Sequence, residues 1–117
     1  MSHLEIRTDA ALRDYCRHLA DSSLVGLDTE FVSEYSYRPR LCLAQVVDDR
    51  GRMAMIDSMA VEDLTPFWEI VATAGREIVV HAGRGELEFC LRATGRLPEK
   101  VFDVQIAAGL AGIEYPA

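Results

Sequence analysis

The chain has 117 residues, half of them apolar and 26% charged, and carries a formal net charge of −7. That size and composition suit one ordinary globular domain with a real hydrophobic core. No apolar run approaches the roughly 20 residues of a membrane span, and the acidic balance argues against broad, non-specific phosphate binding.

Residues Met1 to Glu5 show neither the basic start nor the apolar stretch of a signal peptide. Cys16, Cys42 and Cys90 are odd in number, far apart and without a C-x-x-C pair. That usage predicts reduced thiols, packed among apolar neighbours, in a cytoplasmic protein.

In chain order, Leu4 to Arg7 reads as a short edge strand. Thr8 and Asp9 offer an N-cap. Leu12, Tyr15, Cys16 and Leu19 follow at i, i+3, i+4 and i+7, one face of a helix that Asp21-Ser22-Ser23 ends. The run Val25-Gly26-Leu27-Asp28-Thr29-Glu30-Phe31 is then short and apolar, as a buried strand is, except for its two acids. Side chains alternate along a strand, so Asp28 and Glu30 share a face, with Cα atoms roughly 7 Å apart. Leu27, Thr29 and Phe31 take the other face. Two carboxylates on one face repel each other and resist burial. A hard divalent cation such as Mg²⁺ or Mn²⁺ resolves that conflict, because it favours carboxylate oxygen. The D-x-E spacing by itself also describes a strand end with two surface acids.

Val32 to Arg40 is a polar, aromatic loop holding Tyr35, Tyr37, Arg38, Pro39 and Arg40. Arginine binds phosphate bidentately and tyrosine stacks on bases; the same composition suits a solvated surface loop. Leu41 to Val47 and Met53 to Asp57 are strands joined by the turn Asp48-Asp49-Arg50-Gly51. With the acidic strand they predict an antiparallel meander of three.

The period then changes. Thr65-Pro66 marks a helix start, with Phe67, Trp68 and Val71 as its apolar face and Gly75 as its end. Glu77 to His81 is a buried strand of the parallel type. Ala82-Gly83-Arg84-Gly85 is a tight turn into a helix that carries Leu87, Cys90 and Leu91 on its apolar side and stops at Gly95. Val101-Phe102 is a last short strand. Asp103 caps a final helix with Ile106, Ala107 and Leu110, which Gly112 stops. A meander followed by strand–helix alternation implies a mixed α/β sheet with helices on its faces.

The turn at residues 81–88 joins a strand end to a helix start, where open α/β sheets favour ligands. Glu86 falls in the first helical turn; there an acid also simply opposes the helix dipole. His81 has three readings: a core histidine, a metal ligand, or a hydrogen-bond partner that holds the turn. The last is preferred, since a lone histidine without an i+4 partner is weak evidence for metal. Asp103 has the default role of an N-cap.

Three segments together resemble the ribonuclease D family, a branch of the DEDD superfamily of 3′–5′ exonucleases. Leu27 to Val32 followed by Tyr37 to Gln45 is similar to its first motif region. His81 to Glu88 is similar to its second, and Phe102 to Ala108 to the segment that follows. The resemblance spans nearly the whole chain and roughly the first two-thirds of the family's exonuclease domain. It implies a ribonuclease-H-like fold in which residues 1–117 form a single, truncated domain. It also implies two-metal phosphodiester hydrolysis with Mg²⁺ or Mn²⁺, releasing nucleoside 5′-monophosphates from an RNA 3′ end or single-stranded DNA. Asp28 would bridge the ions and Glu30 would hold one of them. Glu86 stands where the family has an Asp; the extra methylene either is absorbed by a backbone shift or ruins the second metal site. Tyr37, Arg38, Arg40 and His81 are the candidate substrate contacts.

The family's third motif, a Tyr and a final Asp, has no counterpart: the late tyrosine here is Tyr115, and nothing acidic follows it. The family's accessory helical RNA-binding domain is absent as well. The chain is therefore expected to be catalytically incomplete, with one weak metal site or none. It is also expected to self-associate through a face that the missing segment normally covers. A non-cleaving nucleic-acid- or metal-binding relative and an inert interaction scaffold are the alternatives.

Overall fold

Two strand patterns and one helix pattern recur along the chain, and in the computed structural model they build one six-stranded sheet. Residues 3–32, 40–81 and 83–110 are described. The elements are β1 (His3–Ile6), α1 (Asp9–Leu19), β2 (Leu24–Val32), β3 (Arg40–Asp48), β4 (Met53–Asp57), α2 (Thr65–Ala72), β5 (Glu77–Val80), α3 (Arg84–Thr94), β6 (Lys100–Asp103) and α4 (Val104–Leu110). The strand order is β1-β4-β3-β2-β5-β6. Strands β2, β3 and β4 are the antiparallel meander. The other pairings, β1 with β4, β2 with β5 and β5 with β6, are parallel.

Local chemistry sets the joints. The Thr8 hydroxyl caps α1, accepting from the Ala11 amide at 3.1 Å. Asp9 accepts from the amides of Glu62 and Asp63 at 2.8 and 3.0 Å, which ties the start of α1 to the loop before α2. In the β3–β4 turn Asp48 accepts from the Arg50 and Arg52 amides, both at 2.9 Å, and from Arg52 Nε at 2.7 Å. Gly51 supplies the positive φ, 77°, that the turn requires. Buried Arg76 donates to the carbonyls of Ser22, Ile70 and Ala20. It thereby clamps the ends of α1 and α2, where the helix dipoles are negative.

The core lies on one side of the sheet. Val25, Leu27, Val46, Ile56, Ile78 and Val80 meet Leu12, Cys16 and Leu19 of α1 and Phe67, Trp68 and Val71 of α2. Trp68 stacks on Phe89 of α3 at 6.2 Å between ring centroids. The other side is open: Gly26, Val47, Met53 and Val79 line a cavity of about 310 Å³ with Val104 of α4.

Three expectations are corrected or fall outside the described residues. The helix after β5 turns in Glu86 and Cys90, whereas Leu91 is exposed. Beginning at Arg84, the helix has a phase that places residues 86, 89, 90 and 93 inward, so an acid occupies a position the apolar pattern left polar. The predicted loop Val32 to Arg40 is shorter than its pattern suggests, because Val32 ends β2 and Arg40 begins β3. Tyr35, Tyr37, Arg38, Pro39 and the Arg40 side chain, like Gly112 and Tyr115, lie outside what the structure describes.

Candidate functional site

The site forms where two neighbouring strands end at different heights. β2 pairs with β5 only from Leu24 to Gly26. β5 stops at Val80 and the chain turns into α3, while β2 runs on to Val32. The overhanging part of β2 carries Asp28 and Glu30, both exposed. The first turn of α3 carries Glu86, which is 6% exposed.

Two clefts meet there. One is the apolar cavity on the open face, which Asp28, Gln45 and His81 border. The second, of about 360 Å³, is lined by Asp28, Thr29, Phe31, His81, Arg84, Gly85, Glu86 and Glu88. Asp28 and His81 line both. Glu30 borders neither, and the pairing with β3 slips directly after it: Glu30 faces Leu43, while Phe31 faces Leu41. Cys42 is the extra residue of this bulge, which re-aims the strand end.

The electrostatics single out Glu86. Burial pushes its carboxyl above the usual range, and the Asp28 charge adds to that; its own amide and Thr29 offset part of the rise. Thr29 Oγ1 is buried and meets no partner at bonding geometry, though it lies close enough to favour the Glu86 charge. A cation between Asp28 and Glu86 would relieve both the burial cost and the repulsion. The donor set therefore fits a hard divalent ion that keeps open positions, as Mg²⁺ does when one or two carboxylates and substrate phosphates hold it. Among the described residues no three His, Cys, Asp or Glu side chains form a metal-holding group.

The structure thus brings Asp28, Glu86 and His81 to one place and sets Glu30 beside it. His81 is exposed. The role preferred for it, holding the turn, falls to another residue: the Gly83 amide donates to Asp103 Oδ2 at 3.0 Å. Asp103 is also the predicted cap, its Oδ1 accepting from the Gln105 amide at 3.0 Å.

Sequence reasoning missed Phe31 as a wall of the cleft. Its ring meets Phe89 edge-on at 6.0 Å and lies over Gly85, where an added Cβ would stand 3.1 Å away. It gave no separate role to Arg84, which forms an exposed pair with Glu88 at 3.7 Å on the rim. The small residue at Gly85 was the available signal for the aromatic contact.

A family model described as 3′–5′ exonuclease matches residues 4–115. Ribonuclease D of Zymomonas mobilis is 39% identical over 113 residues, 95% of this chain and 29% of that protein. The chain thus spans under a third of the length of the curated relatives it matches. Among solved structures, Escherichia coli RNase D, described as an exoribonuclease involved in structured RNA processing, superposes with a TM-score of 0.76 at 26% identity. That match covers all of this chain and 38% of the other. Trypanosoma brucei RNase D in complex with RNA U12 shares the fold alone, with a TM-score of 0.71 at 18% identity over 89% of this chain and 38% of that one. The mixed sheet with its β2–β4 meander is the ribonuclease-H-like fold of these neighbours.

Proposed function

The chain belongs to the 3′–5′ exonuclease family, and on that premise we propose that its site receives the 3′ end of RNA, or of single-stranded DNA, for hydrolysis to nucleoside 5′-monophosphates. One observation carries the reading. Glu86 is buried on the core side of the sheet edge, yet within electrostatic reach of Asp28 on the open side. A fold that spends stability on a buried acid beside a second acid marks a functional position.

In this reading Asp28 and Glu86 supply the carboxylate oxygens for Mg²⁺ or Mn²⁺, and Glu30 supplies a further one from the strand end. The bound ion would activate water and offset charge on the phosphodiester. The protein's own groups do the positioning. Phe31, a residue 46% exposed, offers an aromatic ring suited to stacking on a base. His81 and Arg84 line the polar cleft where a phosphate would sit. Val47, Met53, Val79 and Val104 offer an apolar floor for a base or ribose. Tyr37, Arg38 and Arg40 remain candidate substrate contacts in this reading on the family resemblance of their segment.

RNA as the substrate is supported by the likeness to Escherichia coli RNase D, described as an exoribonuclease involved in structured RNA processing. No helix among the described residues is long and apolar enough to cross a membrane; the three widely spaced cysteines without a C-x-x-C pair support a cytoplasmic location in this reading.

The test is release of 5′-monophosphates from a 3′-labelled oligonucleotide in Mn²⁺, with calorimetric Mn²⁺ titration of the wild type and Asp28→Ala. Binding heat that Asp28→Ala abolishes is expected, at millimolar rather than micromolar affinity. Identical heats for the two proteins would remove Asp28 from the metal site. The joining of only two carboxylates favours a second reading, a metal-dependent RNA binder with little turnover. Retention of RNA in Mn²⁺ without product release is its signature.

A further inference from the structure

Gly83 is the N-cap of α3, and it has no side chain with which to cap the helix. Glu86 is the third helical residue. A glutamate at that position ordinarily reaches back to accept the N–H of the cap residue, the reciprocal half of a capping box. Glu86 bound in that way would be a structural cap, turned away from Asp28.

The Gly83 amide instead donates to Asp103 Oδ2, at 3.0 Å, from 20 residues along the chain. The sheet brings the two together. β6 pairs with β5 in parallel, with Asp103 opposite Val80, so the last carboxylate of β6 falls beside the turn that leaves β5. Asp103 is held at its other oxygen by the Gln105 amide, also at 3.0 Å. Gly83 is equally confined: a Cβ there would stand 2.2 Å from Val80 Cγ2. A carboxylate already held by the Gln105 amide loses little further freedom in accepting a second. A glutamate folding back to do so would have to order its longer side chain.

We propose that Asp103 is a positioning residue for Glu86: by occupying the Gly83 amide, it keeps the Glu86 carboxylate from folding back onto that amide and leaves it on the cleft that Asp28 and Thr29 also line. The metal-binding consequence rests on the function proposed above; the positioning itself does not.

The experiment is ¹H–¹⁵N NMR of the Gly83 amide in the full chain, with Glu86→Gln made in two backgrounds. Asp103→Ser is the second background, because serine keeps an N-cap for α4 but is too short to reach Gly83. In the wild-type background Glu86→Gln is expected to leave the Gly83 resonance in place. In the Asp103→Ser background the same change is expected to move it, because Glu86 has become its acceptor. Mn²⁺ affinity, read by electron paramagnetic resonance, is expected to fall about 10- to 100-fold in Asp103→Ser, the usual loss when an outer support of a metal ligand is removed. A Gly83 resonance that responds to Glu86→Gln in both backgrounds, or in neither, overturns the proposal. If the amide pattern holds but the wild type binds no Mn²⁺, the positioning stands and the metal-site reading fails. Should Asp103→Ser not fold, Asp103→Thr, likewise a short N-cap that stops short of Gly83, carries the same comparison.

Discussion

Glu86 illustrates how one residue can serve function against stability. Its carboxyl is raised by burial first and, among charges, by Asp28, so the folded chain disfavours the charged form. Its stability contribution is unfavourable once pH exceeds the ordinary glutamate range, and is relieved as pH falls. Glu86→Gln is therefore expected to raise the melting temperature of the metal-free protein and to erase any Mn²⁺-induced rise. Scanning calorimetry with and without Mn²⁺ checks both; a lower metal-free melting temperature would count against the cost assigned to this charge. Tyr15 and Cys16 give a separate, alkaline signature. Burial, then the Asp48 charge, pushes the Tyr15 hydroxyl up to about 12 from 10.0, and burial pushes the Cys16 thiol up to about 11 from 9.0. In the unfolded chain both lose protons at the lower values, so stability falls as pH rises from about 9 to 12. Urea midpoints across that range should drop, and should drop less in Tyr15→Phe. The Tyr15 hydroxyl is buried without a partner, so its removal should cost nothing at neutral pH.

At the scale of elements, the site depends on where α3 begins. β5 ends at Val80 and the helix starts at Arg84, and the turn between them is packed to contact. At Gly83 an added Cβ meets Val80 Cγ2 at 2.2 Å and Val80 Cβ at 2.8 Å; at Gly26 it meets only the far end of Val47, Cγ1, at 2.5 Å. Rotation can carry the Val47 methyl aside, whereas no rotation moves Val80 Cβ, and Val80 is packed in the core. Gly83→Ala is therefore expected to destabilise by about 1–3 kcal/mol, the usual cost of overpacking, and Gly26→Ala by less. Urea denaturation orders the two. Equal losses would show that Val80 yields as readily as Val47. Loss of Mn²⁺ binding should accompany only the first, because moving the start of α3 moves Glu86.

For the whole molecule, the two sides of the sheet differ in kind. Helices α1, α2 and α3 cover one. The other offers Met53, Val104 and the apolar cavity between them, and nearby elements expose Phe102 and Ile106 at 48% and 63%. Contiguous exposed apolar surface drives association. Concentration-dependent self-association is the expected outcome, weakened by Val104→Asp. Light scattering that shows a monomer across a wide concentration range would remove it.

The sequence by itself determined the elements and their order. Alternation marked β2 to β4, and the i, i+3, i+4 pattern marked α1. Gly95, Pro66 and Asp103 punctuated the helices, because each acts through the backbone within a few residues of itself. It also placed Asp28 and Glu30 on one face, since alternation is a property of any strand. What it could not determine was which acids meet. Asp28 and Glu86 are joined by the unequal lengths of β2 and β5, a property of pairing rather than of either segment. The inward turn of Glu86 depends on the phase of α3, which packing sets. The bond from Gly83 to Asp103 depends on the register of β6 against β5, and the aim of Phe31 on the bulge at Cys42. These contacts join residues distant in sequence, and their energy exists only once the sheet has brought them together.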